Sequence, residues 1–238
     1  MEDSPDKPNQ KEENSEKEKG SDNIYLNEMK EELKKAAIDF RLGKTDGKED
    51  TKIDKMLKLL KMIQLSSTIK ILKDDNAPIE IIPHLFLGTI GSASNIKQLQ
   101  SCKITHVLCC AKGLKAYFPE NFKYKLLDLN DIPSEDIVRY FYDAIKFIDS
   151  ADRNVFVHCR VGKSRSASNV IAYLMYNEQK KYDDVFKYVR KHRWIAYPNS
   201  GFREQLKNLD VYFQKSNYDL EGLKGMTRKS LEEWVKSH

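Results

Sequence analysis

Apolar positions recur along this chain at two different periods. In residues 24–40, Leu26, Met29, Leu33, Ala37 and Phe40 return every three or four places, which predicts an amphipathic helix ending near Gly43 and Gly47. A second helix is predicted over residues 52–73. There Ile53, Met56, Leu57, Leu60 and Ile63 form one stripe, Lys55, Lys58 and Lys61 lie opposite, and Met62 and Leu65 fall on the basic side. The stripe is expected to pack on the main domain. The alternative is a basic amphipathic face of the kind taken by a calmodulin-like sensor or an anionic membrane surface.

Residues 74–78 read as a boundary, after which the period shortens. Strands are predicted over 79–82, 85–88, 104–110 and 122–129, with a helix over 94–101. Ser134 can cap a helix carrying Ile137, Tyr140, Phe141, Ala144, Ile145 and Ile148. Val155, Phe156 and Val157 make a further strand, and Ala167, Val170, Ile171, Leu174 and Met175 restart the helical period at once. Helices over 183–193 and 201–213 follow, separated by a break at Pro198, and the end of the chain is weakly patterned beyond a short helical stretch at 231–235. Strands alternating with helices predict an α/β domain, a central mostly parallel sheet flanked by helices, with its ligand loop beyond the carboxyl ends of the strands. The expected organisation is a disordered acidic tail (1–22), a helical N-terminal extension (23–75), the main domain (76–216) and a C-terminal tail (217–238).

Charge changes this picture at one end. Residues 1–22 hold eight acidic and four basic side chains with almost no apolar ones, so the net charge of +5 leaves +9 on the rest. A basic body suits phosphorylated or otherwise acidic partners, and a solvated lysine-rich surface equally. The four cysteines, Cys102, Cys109, Cys110 and Cys159, show no framework spacing, which argues for a reducing compartment. With no signal-peptide pattern, no long apolar run and no lipidation motif, a soluble cytoplasmic protein is expected, present also in the nucleus, monomeric, without nucleic-acid partner or stable membrane insertion.

The stretch NVFVHCRVGKSRSA, 154–167, carries the chemistry. A strand, tight loop and helix entrance aim several unpaired backbone N–H groups at one spot, where the helix dipole also favours an anion such as phosphate. Cys159 sits at the base of this nest, where the same field favours thiolate over thiol. Arg165 brings a planar fork suited to two phosphate oxygens, and Ser166 a hydroxyl that can donate to the sulfur.

These residues resemble a known family. VHCRVGKSRS is similar to the signature loop of the cysteine-based protein phosphatases, and SRSAS with IAYLM resembles the dual-specificity branch. PHLFLGTIGSASN, ITHVL and YPNSGFREQL agree, so that the similarity covers about residues 79–214 and resembles most the small plant and protist members. The resemblance implies Cys159 as nucleophile, Arg165 as phosphate-binding arginine, Ser166 as leaving-group hydroxyl and His158 as the histidine that tunes the thiolate. It implies Arg160, Val161, Gly162, Lys163 and Ser164 as the phosphate cradle and Asn199 as its brace. The general acid is expected at Asp131, on a loop 28 residues before Cys159, in preference to Asp128 and Asp136. No metal or cofactor is implied.

The implied activity is hydrolysis of phosphotyrosine and phosphoserine or phosphothreonine in proteins through a phosphocysteine, in intracellular signalling, with a MAP kinase as one expected substrate. Basic residues at Arg160 and Lys163 also resemble lipid phosphatases of the same superfamily, and a phospho-binding module without turnover is the third reading. Cys110 resembles a redox partner able to form a disulfide with Cys159. A metal site at Cys102, His106, Cys109 and Cys110 is not expected, because neighbouring strand residues point to opposite faces.

Overall fold

The computed structural model describes residues 24–45 and 48–238. The expected disordered tail, 1–22, lies outside the described residues. The chain divides into two compact units, Met1–Lys73 and Asp74–His238.

In the first unit, α1 (Ile24–Leu42) leads through the two-residue strands β1 (Lys44–Thr45) and β2 (Lys48–Glu49) into α2 (Lys52–Asp74). Thr51 and Asp54 cap α2, each side chain accepting the other's backbone N–H at 3.0 and 3.2 Å. The face of α2 that turns inward is not the expected stripe. Lys58 donates to Asp50 at 2.7 Å and to the Asp39 carbonyl at 3.1 Å, and on the same face Met62 and Leu65 are half-buried and Ile69 is buried. Ile53, Met56, Leu57, Leu60 and Ile63 are each more than half exposed, with 53% for Leu60 the lowest.

The second unit is built on a five-stranded sheet with order β3 (Ile79–Ile82), β4 (Leu85–Gly88), β7 (Asn154–His158), β5 (Ile104–Cys110), β6 (Lys123–Leu127). Only the edge strand β3 is antiparallel to its neighbour, so the expected mostly parallel sheet is what forms. The central strand β7 is covered on both faces, which explains its unbroken apolar run: Val155, Phe156, Val157 and His158 are buried. On one face Phe86, Ala93, Leu99, Val107, Phe122 and Phe156 pack with α3 (Ile90–Ala93) and α4 (Ile96–Ser101).

On the other face lie α5 (Val138–Asp149), α6 (Arg165–Glu178), α7 (Tyr182–His192), α8 (Ser200–Lys215) and α9 (Arg228–Ser237). The first eleven residues of α6 are all buried, making it the axis of this layer. Burying each large aliphatic side chain contributes about 1.5–3 kcal/mol, so residues 165–175 anchor the loop that precedes them.

Two expectations about helix ends change. Ser134 does not cap α5, which starts four residues later. The cap is supplied by Gln205, whose Oε1 accepts the Ile137 N–H at 3.0 Å. The expected tail beyond 216 is part of the same core: a 3₁₀ turn at Glu221–Leu223 and α9 bury Leu220, Leu223 and Leu231, and Trp234 packs edge-on against Tyr212. The turn breaks the spacing of these leucines, so no single period runs through them.

Candidate active site

The β7 strand ends at His158, and seven residues later α6 begins at Arg165. Between them the backbone wraps around the sulfur of Cys159, which is buried and accepts the Gly162 N–H at 3.2 Å and the Ser166 hydroxyl at 3.1 Å. Burial works against a charge on this sulfur. The Arg165 guanidinium, the Ser166 hydroxyl and backbone N–H and the Gly162 N–H outweigh it, holding the thiol below its ordinary range. His158 supplies no positive charge: burial lowers it to about 4, and its ring lies stacked on Phe156.

Gly162 is required where it stands. Its φ of +65° belongs to the left-handed region, and a Cβ there would sit 2.5 Å from the Gly88 carbonyl oxygen and 2.7 Å from an Arg193 nitrogen. Arg193, at the end of α7, is buried and runs beneath the loop. Its Nε donates to Gly162 O at 2.8 Å, its Nη2 to Val161 O at 2.9 Å, and Nη2 also pairs with Asp75. The segment 193–199 continues alongside the loop. The Tyr197 N–H donates to Lys163 O at 2.7 Å and the Asn199 N–H to Ser164 Oγ at 3.1 Å. Residues 161–164 of one loop are thus matched by 193, 197 and 199 of the other.

Asn199 carries three tasks at once. Its Oδ1 caps α8 by accepting the Phe202 N–H at 3.0 Å, its N–H holds Ser164, and its Nδ2 donates to Asp131 Oδ1 at 3.0 Å. Asp131 also accepts from Ser164 Oγ at 2.6 Å, and its other oxygen lies 3.5 Å from Arg165 Nε. Arg165 in turn donates through Nη1 to the Leu129 carbonyl at 3.3 Å. The other two carboxylates considered face elsewhere: Asp128 lies 3.8 Å from Lys112, and Asp136 accepts the Arg228 N–H at the start of α9. The loop bearing Asp131 is seated on α8. Gly201 leaves room for the Pro133 carbonyl, and Gln205 Nε2 donates to Glu135 O at 2.9 Å.

The structure therefore gathers Cys159, Gly162, Ser164, Arg165, Ser166, Asn199 and Asp131 around one spot. Arg160 and Lys163 are exposed, and Val161 is half-buried. Cys110 ends β5, whose preceding residue Cys109 pairs with His158 in the ladder, so Cys110 and Cys159 follow each other on neighbouring strands and share one apolar cluster. Both thiols are unbridged, and burial pushes Cys110 well above the ordinary thiol range, a poor start for thiolate attack. Among the described residues no group of three or more His, Cys, Asp or Glu side chains is arranged to hold a metal ion. Arg193, Asp75 and Gly88 were not singled out from the sequence. Arg193 stands among Arg190, Lys191 and His192, where nothing in composition separates a buried cation from a solvated one.

The chain is similar to known proteins. The model of the dual specificity phosphatase catalytic domain matches residues 85–211. Dual specificity protein phosphatase 1 of Arabidopsis thaliana is 37% identical over 162 residues, covering 67% of this chain and 80% of the relative. Serine/threonine/tyrosine-interacting protein B of Xenopus laevis is 40% identical over 144 residues, covering 56% of this chain and 65% of the relative, just under two thirds of its length. Among solved structures, the human tyrosine phosphatase-like serine/threonine/tyrosine-interacting protein superposes with a TM-score of 0.57 at 38% identity, over 58% of this chain and 99% of that one. A family model matching more than half of the residues, on a fold and loop of this geometry, leaves one conclusion: the chain belongs to the dual specificity phosphatase family.

Proposed function

We propose that the protein hydrolyses phosphotyrosine and phosphoserine or phosphothreonine in protein substrates through a covalent phosphocysteine. The observation that carries this reading is the buried Cys159 sulfur, which meets the Arg165 charge and receives hydrogen bonds from Gly162 and Ser166. In the first step the Cys159 thiolate attacks phosphorus, the S–P bond forms as the ester P–O bond breaks, and Asp131 gives its proton to the departing oxygen. In the second, Asp131 takes a proton from water, which attacks phosphorus. The S–P bond breaks, and Ser166 donates to the sulfur as negative charge returns to it. Arg165 and the amides of residues 160–164 hold the equatorial oxygens through both steps.

Fold alone does not separate turnover from binding, and one similar solved structure is described as tyrosine phosphatase-like. Cys159 with its donors supports turnover. Phosphorylated signalling proteins, with MAP kinases among them, are the substrates we propose, and the exposed Lys163 supports acidic residues in them. The test is a substrate trap. Cys159→Ser with Asp131→Ala should capture phosphoproteins in preference to phosphoinositide vesicles, while wild type hydrolyses an aryl phosphate. An inactive wild type whose Cys159→Ser form still binds phosphopeptide would instead establish a binding module.

A further inference from the structure

Five large apolar side chains are exposed on the catalytic unit among its described residues: Leu126, Ile132, Tyr188, Trp194 and Tyr197. Three of them, Ile132, Trp194 and Tyr197, lie on the two loops that touch the phosphate loop. Trp194 is the extreme case, 79% exposed. A single exposed apolar residue needs no explanation, but a group of them on the loops that border one site marks a recognition surface.

The backbone that carries Trp194 is held on both sides. Before it, Arg193 is fastened to Val161 and Gly162; after it, the Tyr197 N–H is fastened to Lys163, and Arg190 donates to the Trp194 carbonyl at 3.5 Å. Tyr197 is itself packed by cations, with the Arg203 guanidinium 4.5 Å and that of Arg190 5.5 Å from its ring centre. An aromatic side chain on a fixed backbone loses little conformational freedom when it meets a partner, which suits it to anchor binding. Lys163, exposed in the phosphate loop, lies beside Tyr197 through the same backbone hydrogen bond.

We propose that Trp194, with Tyr197 and Ile132, forms a recognition rim that grips an apolar side chain flanking the phosphoresidue of a protein substrate, with Lys163 meeting an acidic neighbour. This rests on the phosphatase reading above. A lipid surface is the other occupant such residues could take, but that binding mode uses a broad continuous apolar face. Here arginines cover Tyr197 on two sides and leave separate anchors, the pattern that suits separate side chains of a peptide.

Two phosphotyrosine peptides identical except for leucine or alanine beside the phosphoresidue test the rim against 4-nitrophenyl phosphate. Trp194→Ala should lower kcat/KM for the leucine peptide about tenfold more than for the aryl phosphate, with the extra loss in KM. Trp194→Phe should recover much of it, and the alanine peptide should show no extra loss. Equal losses on peptide and aryl phosphate would overturn the proposal and reduce Trp194 to a structural role.

The second measurement is independent of turnover. The chain has two tryptophans, so Cys159→Ser with Trp234→Phe leaves Trp194 as the only indole. A saturable emission shift with the leucine phosphopeptide supports the rim. A shift only with phosphatidylcholine vesicles containing phosphoinositide overturns it in favour of a lipid surface. Failure of the phosphatase reading shows separately, as wild type hydrolysing neither aryl phosphate nor peptide.

Discussion

Replacing Ser166 by alanine isolates one hydrogen bond at the sulfur. The Ser166 hydroxyl lies 3.1 Å from Cys159 Sγ, and both residues are buried, so bulk water has no access to replace it. A hydrogen bond to a charged group is worth about 1.5–3 kcal/mol, and about 1.4 kcal/mol corresponds to one pH unit. Sulfur accepts weakly, so the lower end applies. Ser166→Ala is therefore expected to raise the Cys159 pKa by about one unit.

The rate of alkylation by iodoacetamide against pH reads the thiolate directly, without turnover. Wild type and variant should give parallel curves displaced by that amount, and the acidic limb of turnover should move with them. The sign carries over to stability. Because the folded pKa is lowered, its stabilising contribution is present above the unfolded thiol pKa and is lost as pH falls through the folded value. The melting temperatures of wild type and Ser166→Ala should accordingly differ more in alkaline buffer than in acid. An unchanged alkylation profile would refute the reasoning and leave Arg165 and the backbone N–H groups of Ser166 and Gly162 as the cause of the lowered pKa.

Other perturbations test the frame around the loop. Arg193→Ala leaves the Gly162 and Val161 carbonyls and Asp75 without this donor and should cost about 3–5 kcal/mol in denaturant unfolding; a loss below about 1 kcal/mol would contradict the bracing role. Asn199→Ala should cost about 1 kcal/mol from its cap and lower kcat through Asp131, so unchanged turnover would detach Asn199 from the acid. Gly162→Ala, forced against the Gly88 carbonyl at a left-handed φ, should abolish turnover while far-UV circular dichroism stays native; full activity would refute the close approach. A peptide of residues 52–73 should show a calcium-dependent mobility shift with calmodulin if its exposed stripe serves such a partner, and no shift retires that reading.

What the sequence revealed follows from where its constraints are local. The strand, loop and helix of 154–178 were legible because period, loop length and helix entrance all act over neighbouring residues. Asp131 and Asn199 were found through resemblance, and the structure brings both to Ser164. Arg193 was not legible, since its partners Gly162, Val161 and Asp75 are far off in the chain and one arginine in a basic run carries no mark of burial. Gln205 escaped as the cap of α5 for the same reason: its partner lies 68 residues away. For α2, periodicity shows that the helix has an apolar face and not what covers it. On the other side of that helix Lys58 pairs with Asp50 at 2.7 Å.

The central claim is that phosphate passes through the Cys159 sulfur. Rapid acid quench of the enzyme with a labelled aryl phosphate, followed by peptide mapping, tests it most directly. The account expects label on the peptide containing Cys159, at higher occupancy in Asp131→Asn when the leaving group needs no proton, and none in Cys159→Ser. Hydrolysis by Cys159→Ser at the wild-type rate, or turnover with label on no cysteine, would contradict it.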